Sequence, residues 1–585
     1  MRPVELALYR IPPTLRWIAS LIWHIEHDFE RARAEGRAVE DARKRIRFVL
    51  LLFVAGFLTL GFRATKAALF PALDKAEAYA TIEGERADLT DRNGQLLAVD
   101  LPHYGLYFNP KENWDLDEVQ RKLPTVLPQL APDRLARALH AGRREYLMGA
   151  LTPDEKARID DLGLPGISFE DEVGRVYPQG VTAGHLVGFV DRGGAGLAGA
   201  ELGLDAPIKA GAGHGEVALS VDLRVQAALQ DELQKAAANF GVIGAVGIVT
   251  NVRTGEVLGM ASYPSMDPNN AGTTPPADLI NHAAATVYEP GSVFKMFTLA
   301  MGLDAHLANI NTLFDARTPL TLGGQTIHDY DKDNAMLPLW EVFTHSSNIG
   351  AARLGLLAGG DRMQRYFSSF GLFAAAPSEL KESARPITPR AMTDNVVASM
   401  AFGHAISVSP LALATGMGAI LNGGNYIPLT IKKRDPAAPL PEHRVLAATT
   451  SSTMLYLMRL NATEGTGVKA DAAAPGYRVG GKTGSAEKAL GGHYERKKLV
   501  SSFAAVFPTD GGFDQDRYLV LIMMDEPHAT KETFGFATGG WTAAPVAGKV
   551  IERIAPVLGV QRTAVSLADA QKTAADQAKL LGADH

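Results

Sequence analysis

The stretch FVLLLFVAGFLTLGF, Phe48 to Phe62, is apolar and carries no charge. It is shorter than the ~20 residues a bilayer needs. Arg47, Arg63 and Lys66 flank it, and snorkelling side chains extend the run to about Phe70, just before Pro71. The preceding EDARKRIR is basic, so the positive-inside rule places residues 1–47 in the cytoplasm and the rest of the chain beyond the membrane. A cleaved signal peptide fits worse. Its n-region would be too long, and the nearest A-x-A, Ala76 to Ala78, lies well past the apolar run. The pattern predicts one uncleaved transmembrane helix over 48–70. Within 1–47, Leu15, Ile18, Ile22 and Ile25 recur at helical spacing behind Thr14, an N-cap type. His24 and His27 share that stretch, but two histidines without a third ligand do not make a metal site.

Residues 71–225 read as a mixed, irregular domain. In RADLTDRNGQLLAVD, Asn93-Gly94 predicts a hairpin turn between short strands. Gly194, Gly196 and Gly199 match G-x-G-x-x-G after the apolar HLVGFV, yet Gly203, Pro207, Gly211 and Gly213 interrupt the next stretch. With no helix to receive a pyrophosphate, the segment reads as a glycine-rich turn. From 226 to 560 the pattern changes. GAVGIVTNVRTGEVLGMASYP predicts two strands joined at Thr-Gly, and a mostly helical middle comes next. YRVGGKTGSAEK, KLVSSFAAVFP and RYLVLIMMDEP then read as strands, and TAAPVAGKVIERIAPVL as a closing helix. Strands at both ends with helices between them predict an α+β domain around one largely antiparallel sheet. Residues 561–585, rich in alanine and polar residues, read as a frayed helix or flexible tail.

Composition narrows the chemistry. The chain has 585 residues, 46% hydrophobic and 21% charged, enough for two or three domains with sizeable cores. A net charge of −6 gives no sign of nucleic-acid binding. The absence of cysteine excludes disulfides, thiolate metal sites and cysteine nucleophiles, and suits an oxidising compartment.

S-x-x-K occurs three times, at Ser292/Lys295, Ser378/Lys381 and Ser485/Lys488, so the pattern cannot select its own site. Context favours the first. In TVYEPGSVFKMFTLAMG, Pro290-Gly291 precede Ser292 and an apolar-periodic segment succeeds it. That places Ser292 at a helix N-terminus, where the backbone favours a developing negative charge. Lys295 is one turn on and faces the same side. A serine needs a base to become nucleophilic, and a lysine is that base only when burial or a second cation keeps it neutral. The plainer role for Ser292 is to cap its helix. Ser346 and Asn348 in HSSNIGAARLG offer a hydroxyl for proton relay and an amide for a substrate carbonyl. Lys482, Thr483 and Gly484 in GGKTGSAEK offer charge, a hydroxyl and room for close backbone approach. Arg253-Thr254-Gly255 shows how common such tripeptides are.

S-x-x-K, S-x-N and K-T-G in this order are the motif set of β-lactamases and penicillin-binding proteins. YEPGSVFK, SSNIGAARL and GGKTGSAEK resemble those of class B penicillin-binding proteins, and the likeness runs from about 80 to 560. TDRNGQLLA, RVYPQGVTAGHLVGFV, GLAGAE and SVDLRVQ are similar to that family's N-terminal module. KETFGFATGGWTAAPV, with SSNIGAARL, is most similar to the septal, cell-division branch (penicillin-binding protein 3 type). The resemblance implies the serine β-lactamase/penicillin-binding transpeptidase fold over 226–560, set on a non-catalytic pedestal over 71–225. It implies that Ser292 attacks between two D-alanines of a peptidoglycan stem peptide while Lys295 takes its proton. Ser346 and Asn348 would assist, and Lys482, Thr483 and Ser485 would bind the terminal carboxylate. Backbone N–H groups of Ser292 and Ser485 would form an oxyanion hole. No metal or organic cofactor is implied. Stem peptides, β-lactams, a membrane glycosyltransferase of the SEDS type and other division proteins are the implied partners. The chain departs from the family pattern at Ser485, often threonine, and at Ala405, often glycine. A serine β-lactamase is the nearest rival, but there is no E-x-x-L-N between the second and third motifs. The elongation-type class B transpeptidase, less similar, is the alternative within the family, and a catalytically silent scaffold or β-lactam sensor is the rival from another class.

Overall fold

The computed structural model describes residues 49–50, 53–54, 56–60 and 86–563, apart from 192, 213–214, 331–334 and 491–492. It divides into two compact units, Met1–Ile82 and Glu83–His585. In the first, the described residues are helical and their apolar side chains are bare, with Phe57 70% and Leu58 68% exposed. Among the described residues no helix is long and apolar enough to cross a membrane. Most of the span expected over 48–70 lies outside the described residues, as do the helix expected around Leu15–Ile25, His24, His27 and the tail beyond Thr563.

In the second unit the hairpin around Asn93-Gly94 forms as its sequence requires. β1 (Asp88–Thr90) and β2 (Leu96–Phe108) pair antiparallel. Asp91 Oδ1 accepts from the N–H groups of Asn93 at 2.7 Å and Gln95 at 2.9 Å, which closes the turn. β3 (Glu145–Leu151) and β4 (Ile167–Val176) pair antiparallel with β2, and β5 (Glu216–Ala218) pairs parallel with β1. The glycine-rich segment turns the chain up to Ala198, but Gly199 then opens two short helices, Gly199–Gly203 and Asp205–Ala210, where no helix was expected. A Cβ on Gly196 would stand 2.0 Å from the Glu201 carbonyl oxygen. The turn delivers the fully buried Glu201 to Arg86 at 2.6 Å and Arg175 at 2.7 Å.

After α1 (Leu223–Phe240) come β6 (Gly244–Asn251), β7 (Glu256–Tyr263), α2 (Lys295–Asp304), α3 (Asn348–Ala358), α4 (Pro410–Leu421) and α5 (Ala448–Glu464). β8 (Gly480–Leu490), β9 (His493–Phe507), β10 (Tyr518–Asp525) and α6 (Ala543–Ile554) complete the unit. The strands form one sheet in the order β8-β9-β10-β6-β7, antiparallel at every pairing. Side chains alternate along β10. Val520, Ile522 and Met524 pack with Leu229 of α1 and Val550 and Ile551 of α6. Leu519, Leu521 and Met523 belong to the opposite core with Phe297 of α2 and Met417 of α4. Both faces are covered, so the strand reads as an unbroken apolar run rather than an alternating one. α4 is buried on every side, which explains its lack of a polar face.

Candidate active site

Ser292 lies in a tight 3-10 turn, Gly291–Phe294, that runs directly into α2. Its hydroxyl accepts from Lys295 Nζ at 3.0 Å. The same ammonium reaches Ser346 Oγ at 3.1 Å, the Ser346 carbonyl and Asn348 Oδ1 at 2.8 Å. From the edge strand β8, Lys482 Nζ donates to Ser346 Oγ at 2.9 Å. Three motifs separated by as many as 190 positions therefore meet around one hydroxyl, that of Ser346.

Both lysines are completely buried. Burial pushes the Lys295 ammonium down to about 7, while the Asp329 carboxylate acts the other way. Lys482 is pushed well below the ordinary lysine range, first by burial and then by the Lys295 charge. A dry pocket disfavours two cations, which is the condition for a neutral lysine base near neutral pH.

The sequence places the remaining residues along β8. Thr483 Oγ1 lies 2.7 Å from Thr466 Oγ1, and Ser485 Oγ accepts from the Gly539 N–H at 3.0 Å. At Gly484 the space of a Cβ is taken by Ser502 Oγ at 2.3 Å and the Pro290 carbonyl at 3.0 Å. Its lack of a side chain lets β8 close on the nucleophile turn. The Asn348 amide is engaged at both ends, since Nδ2 donates to the His328 carbonyl at 3.0 Å. Ala405 has φ +60, a left-handed conformation that explains why glycine suits this position. Ser346 shares that region at φ +61.

The decoys have other work. Lys488 is held by Asp525 and Glu526, each at 2.8 Å. Ser378 Oγ lies 3.4 Å from Ser383 Oγ. Arg253-Thr254-Gly255 turns the chain between β6 and β7. Sequence reasoning missed two supports. Asp329 seats the N-terminus of α3, and Glu289 receives His404 Nδ1 at 3.0 Å, Tyr494 Oη at 3.2 Å and the Ala405 N–H at 3.1 Å. Glu289 stands inside the YEPGS stretch, so proximity to Ser292 was a usable signal. Asp329 carries none, because its partners lie 18 to 20 positions away.

A serine hydroxyl, a buried lysine one turn along the chain and an edge strand closing over them are the parts that acyl transfer of the serine–lysine class needs. The penicillin binding protein transpeptidase domain matches residues 245–552, and the penicillin-binding protein dimerisation domain matches 81–198. The chain is 52% identical to the probable peptidoglycan D,D-transpeptidase FtsI of Caulobacter vibrioides, covering 97% of this chain and 98% of that one. It is 30% identical to the peptidoglycan D,D-transpeptidase FtsI of Escherichia coli, covering 86% and 88%. The fold is also that of penicillin binding protein 3 from Mycobacterium tuberculosis in complex with aztreonam. The TM-score is 0.63 at 23% identity, over 82% of this chain and 97% of that one. The chain belongs to the penicillin-binding protein transpeptidase family.

Proposed function

We propose that this chain is a serine D,D-transpeptidase that cross-links peptidoglycan stem peptides at the division septum, held in the inner membrane by its N-terminal segment. Family membership and relatives named as peptidoglycan D,D-transpeptidases support the activity. The observation that carries the mechanism is the completely buried Lys295 with its Nζ 3.0 Å from Ser292 Oγ.

In this reading neutral Lys295 takes the Ser292 proton as Oγ attacks the carbonyl between the two terminal D-alanines. The oxyanion forms against the N–H groups of Ser292 and Ser485. The proton passes to the departing amine, D-alanine leaves, and an ester to Ser292 remains. An amine of a neighbouring stem peptide attacks that ester, loses its proton to the same lysine-serine network and frees Ser292. Ser346 and Asn348 hold Lys295 in line. Lys482, Thr483 and Ser485 draw in the terminal carboxylate, with Gly484 letting β8 close on the nucleophile turn. A β-lactam, a cyclic mimic of D-Ala-D-Ala, acylates Ser292 as its ring C–N bond breaks, and the leaving nitrogen stays tethered to the acyl group. The bare apolar helix before the pedestal supports the anchor. The names of the relatives favour septal over elongation work. The chain carries no glycosyltransferase signature of its own, which supports a SEDS-type glycosyltransferase as the source of its strands.

The test is the full chain in detergent, incubated with a fluorescent penicillin and read by intact mass. A stable one-to-one adduct that vanishes in Ser292→Ala is expected. Rapid drug turnover without adduct would mean a β-lactamase, and neither adduct nor turnover a scaffold. In cells relying on Ser292→Ala, filamentation is expected; normal division would overturn the catalytic reading.

A further inference from the structure

The corner that carries Ser346 joins the helix Leu339–Thr344 to α3, and it holds a non-glycine residue in the left-handed region. Such a conformation persists only when its surroundings over-determine it. The surroundings here come from a separate loop just after the short strand Gln325–Ile327. Asp329 Oδ1 accepts from the N–H groups of Asn348 at 2.5 Å and Ile349 at 2.9 Å. Its Oδ2 accepts from Ser347 Oγ at 2.6 Å, and Ser347 Oγ in turn accepts from the Gly350 N–H at 2.9 Å. The His328 carbonyl takes the Asn348 amide from the same loop at 3.0 Å. One carboxylate thus satisfies the first free N–H groups of an eleven-residue helix, where its charge is favoured. The outcome of that seating is that Ser346 Oγ and Asn348 Oδ1 both point at Lys295 Nζ.

We propose that Asp329 is a positioning residue for acyl transfer: seated on the N-terminus of α3, its carboxylate locks the Ser346–Asn348 corner against Lys295 and sets the charge that Lys295 feels. The inference rests on the reading of Ser292 and Lys295 as nucleophile and base. The charged groups that meet here are Lys295 from α2, Lys482 from β8 and Asp329 itself, and Glu487 of β8, His404 and Tyr494 line the cavity shared by His328 and Asn348. His328 and His345 are the titratable sequence neighbours of the loop and the corner. Burial lowers Lys295 and Asp329 raises it, so the two effects oppose each other.

The two functions of the carboxylate separate by substitution. Asp329→Asn keeps an acceptor for the helix N–H groups and removes the charge. Asp329→Ala removes both. The rate of penicillin acylation of the full chain is measured from pH 5 to 9, with thermal unfolding as a check on folding. With the charge gone, Lys295 loses its proton more easily. The acid limb of the Asp329→Asn profile therefore moves to lower pH, by about one unit, the lower end of the effect of an opposite charge. Asp329→Ala shares that shift and is expected to acylate roughly 100-fold more slowly on the plateau above pH 7, the size of effect a misplaced catalytic group produces. A merely structural role lowers the amplitude in Asp329→Asn without moving the midpoint, and that result overturns the proposal. So does parental acylation in a folded Asp329→Ala. If Asp329→Ala does not fold, the midpoint in Asp329→Asn decides alone. A parent chain that forms no adduct would overturn the functional reading itself, whereas an adduct with unshifted variants overturns only the role of Asp329.

Discussion

Lys295 and Lys482 occupy one dry pocket and share Ser346 Oγ as a neighbour. Burial of Lys295, opposed by the Asp329 carboxylate, sets the pH dependence of the chemistry. With Lys295 held near 7, the neutral base is scarce below that pH and abundant above it. Penicillin acylation of the full chain is expected to rise about tenfold per unit at acid pH and to level off above about pH 7. A stopped-flow profile that is flat from pH 5 to 9 would remove Lys295 as the base. Ala405 gives a second expectation. Its φ of +60 strains an alanine and not a glycine. Ala405→Gly should raise stability by about 0.5 kcal/mol, after the extra backbone freedom that glycine loses on folding. Thermal unfolding of the two proteins side by side reads this. The motif residues were legible in the sequence because catalysis restricts their types and order. Asp329, Glu289, His404 and Tyr494 were not identified, because acidic, histidine and tyrosine side chains acquire meaning only from what folding brings beside them.

β8 connects the chemistry to the sheet. Its Lys482 points to Ser346, its Gly484 meets the nucleophile turn, and its Ser485 holds the loop at Gly539. An alanine Cβ at 484 would overlap Ser502 Oγ and press on the Pro290 carbonyl. Gly484→Ala should therefore lift the strand away from Ser292 and slow acylation roughly 100-fold. Unchanged acylation kinetics would mean that the turn adapts and that the close approach is dispensable. The strand was predicted from its pattern, as was the closing helix α6, and β6, β7 and β10 were predicted because both sheet faces demand apolar side chains. Its role as the edge that closes the site was invisible, since register and strand order depend on β9 and β10.

The two ends of the transpeptidase region meet in one sheet, with β6 and β7 from its start lying beside β10 from its finish. Ahead of it, the pedestal is tied by Arg86, Arg175 and Glu201, whose side chains are 1%, 3% and 0% exposed. Removing Glu201 leaves Arg86 with Asp205 at 2.6 Å and Arg175 with Asp100 at 2.9 Å, and takes away the one carboxylate that both arginines share. Glu201→Ala should destabilise the pedestal by about 3 kcal/mol, seen as a lower urea midpoint. Penicillin acylation of the folded protein should stay at the parental rate, because no atom of this network lies in the catalytic pocket. A variant with the parental urea midpoint would show that Asp100 and Asp205 suffice to neutralise the two arginines.

Residue types and their periodicity settled the α+β class, the hairpin at Asn93-Gly94, the dismissal of the glycine-rich stretch as a nucleotide loop and the motif set of the site. Each of these rests on local constraint: a pleat with period two, a turn that needs glycine, a reaction that needs serine with lysine. Sequence context favoured Ser292/Lys295 among three S-x-x-K patterns, and the tertiary structure supplied the physical contrast between them. It did so by burying Lys295 and Lys482 together, which lowers both, and by leaving Lys488 in ion pairs that raise it. Proton affinity is a property of surroundings, and surroundings are assembled from positions far apart in the chain.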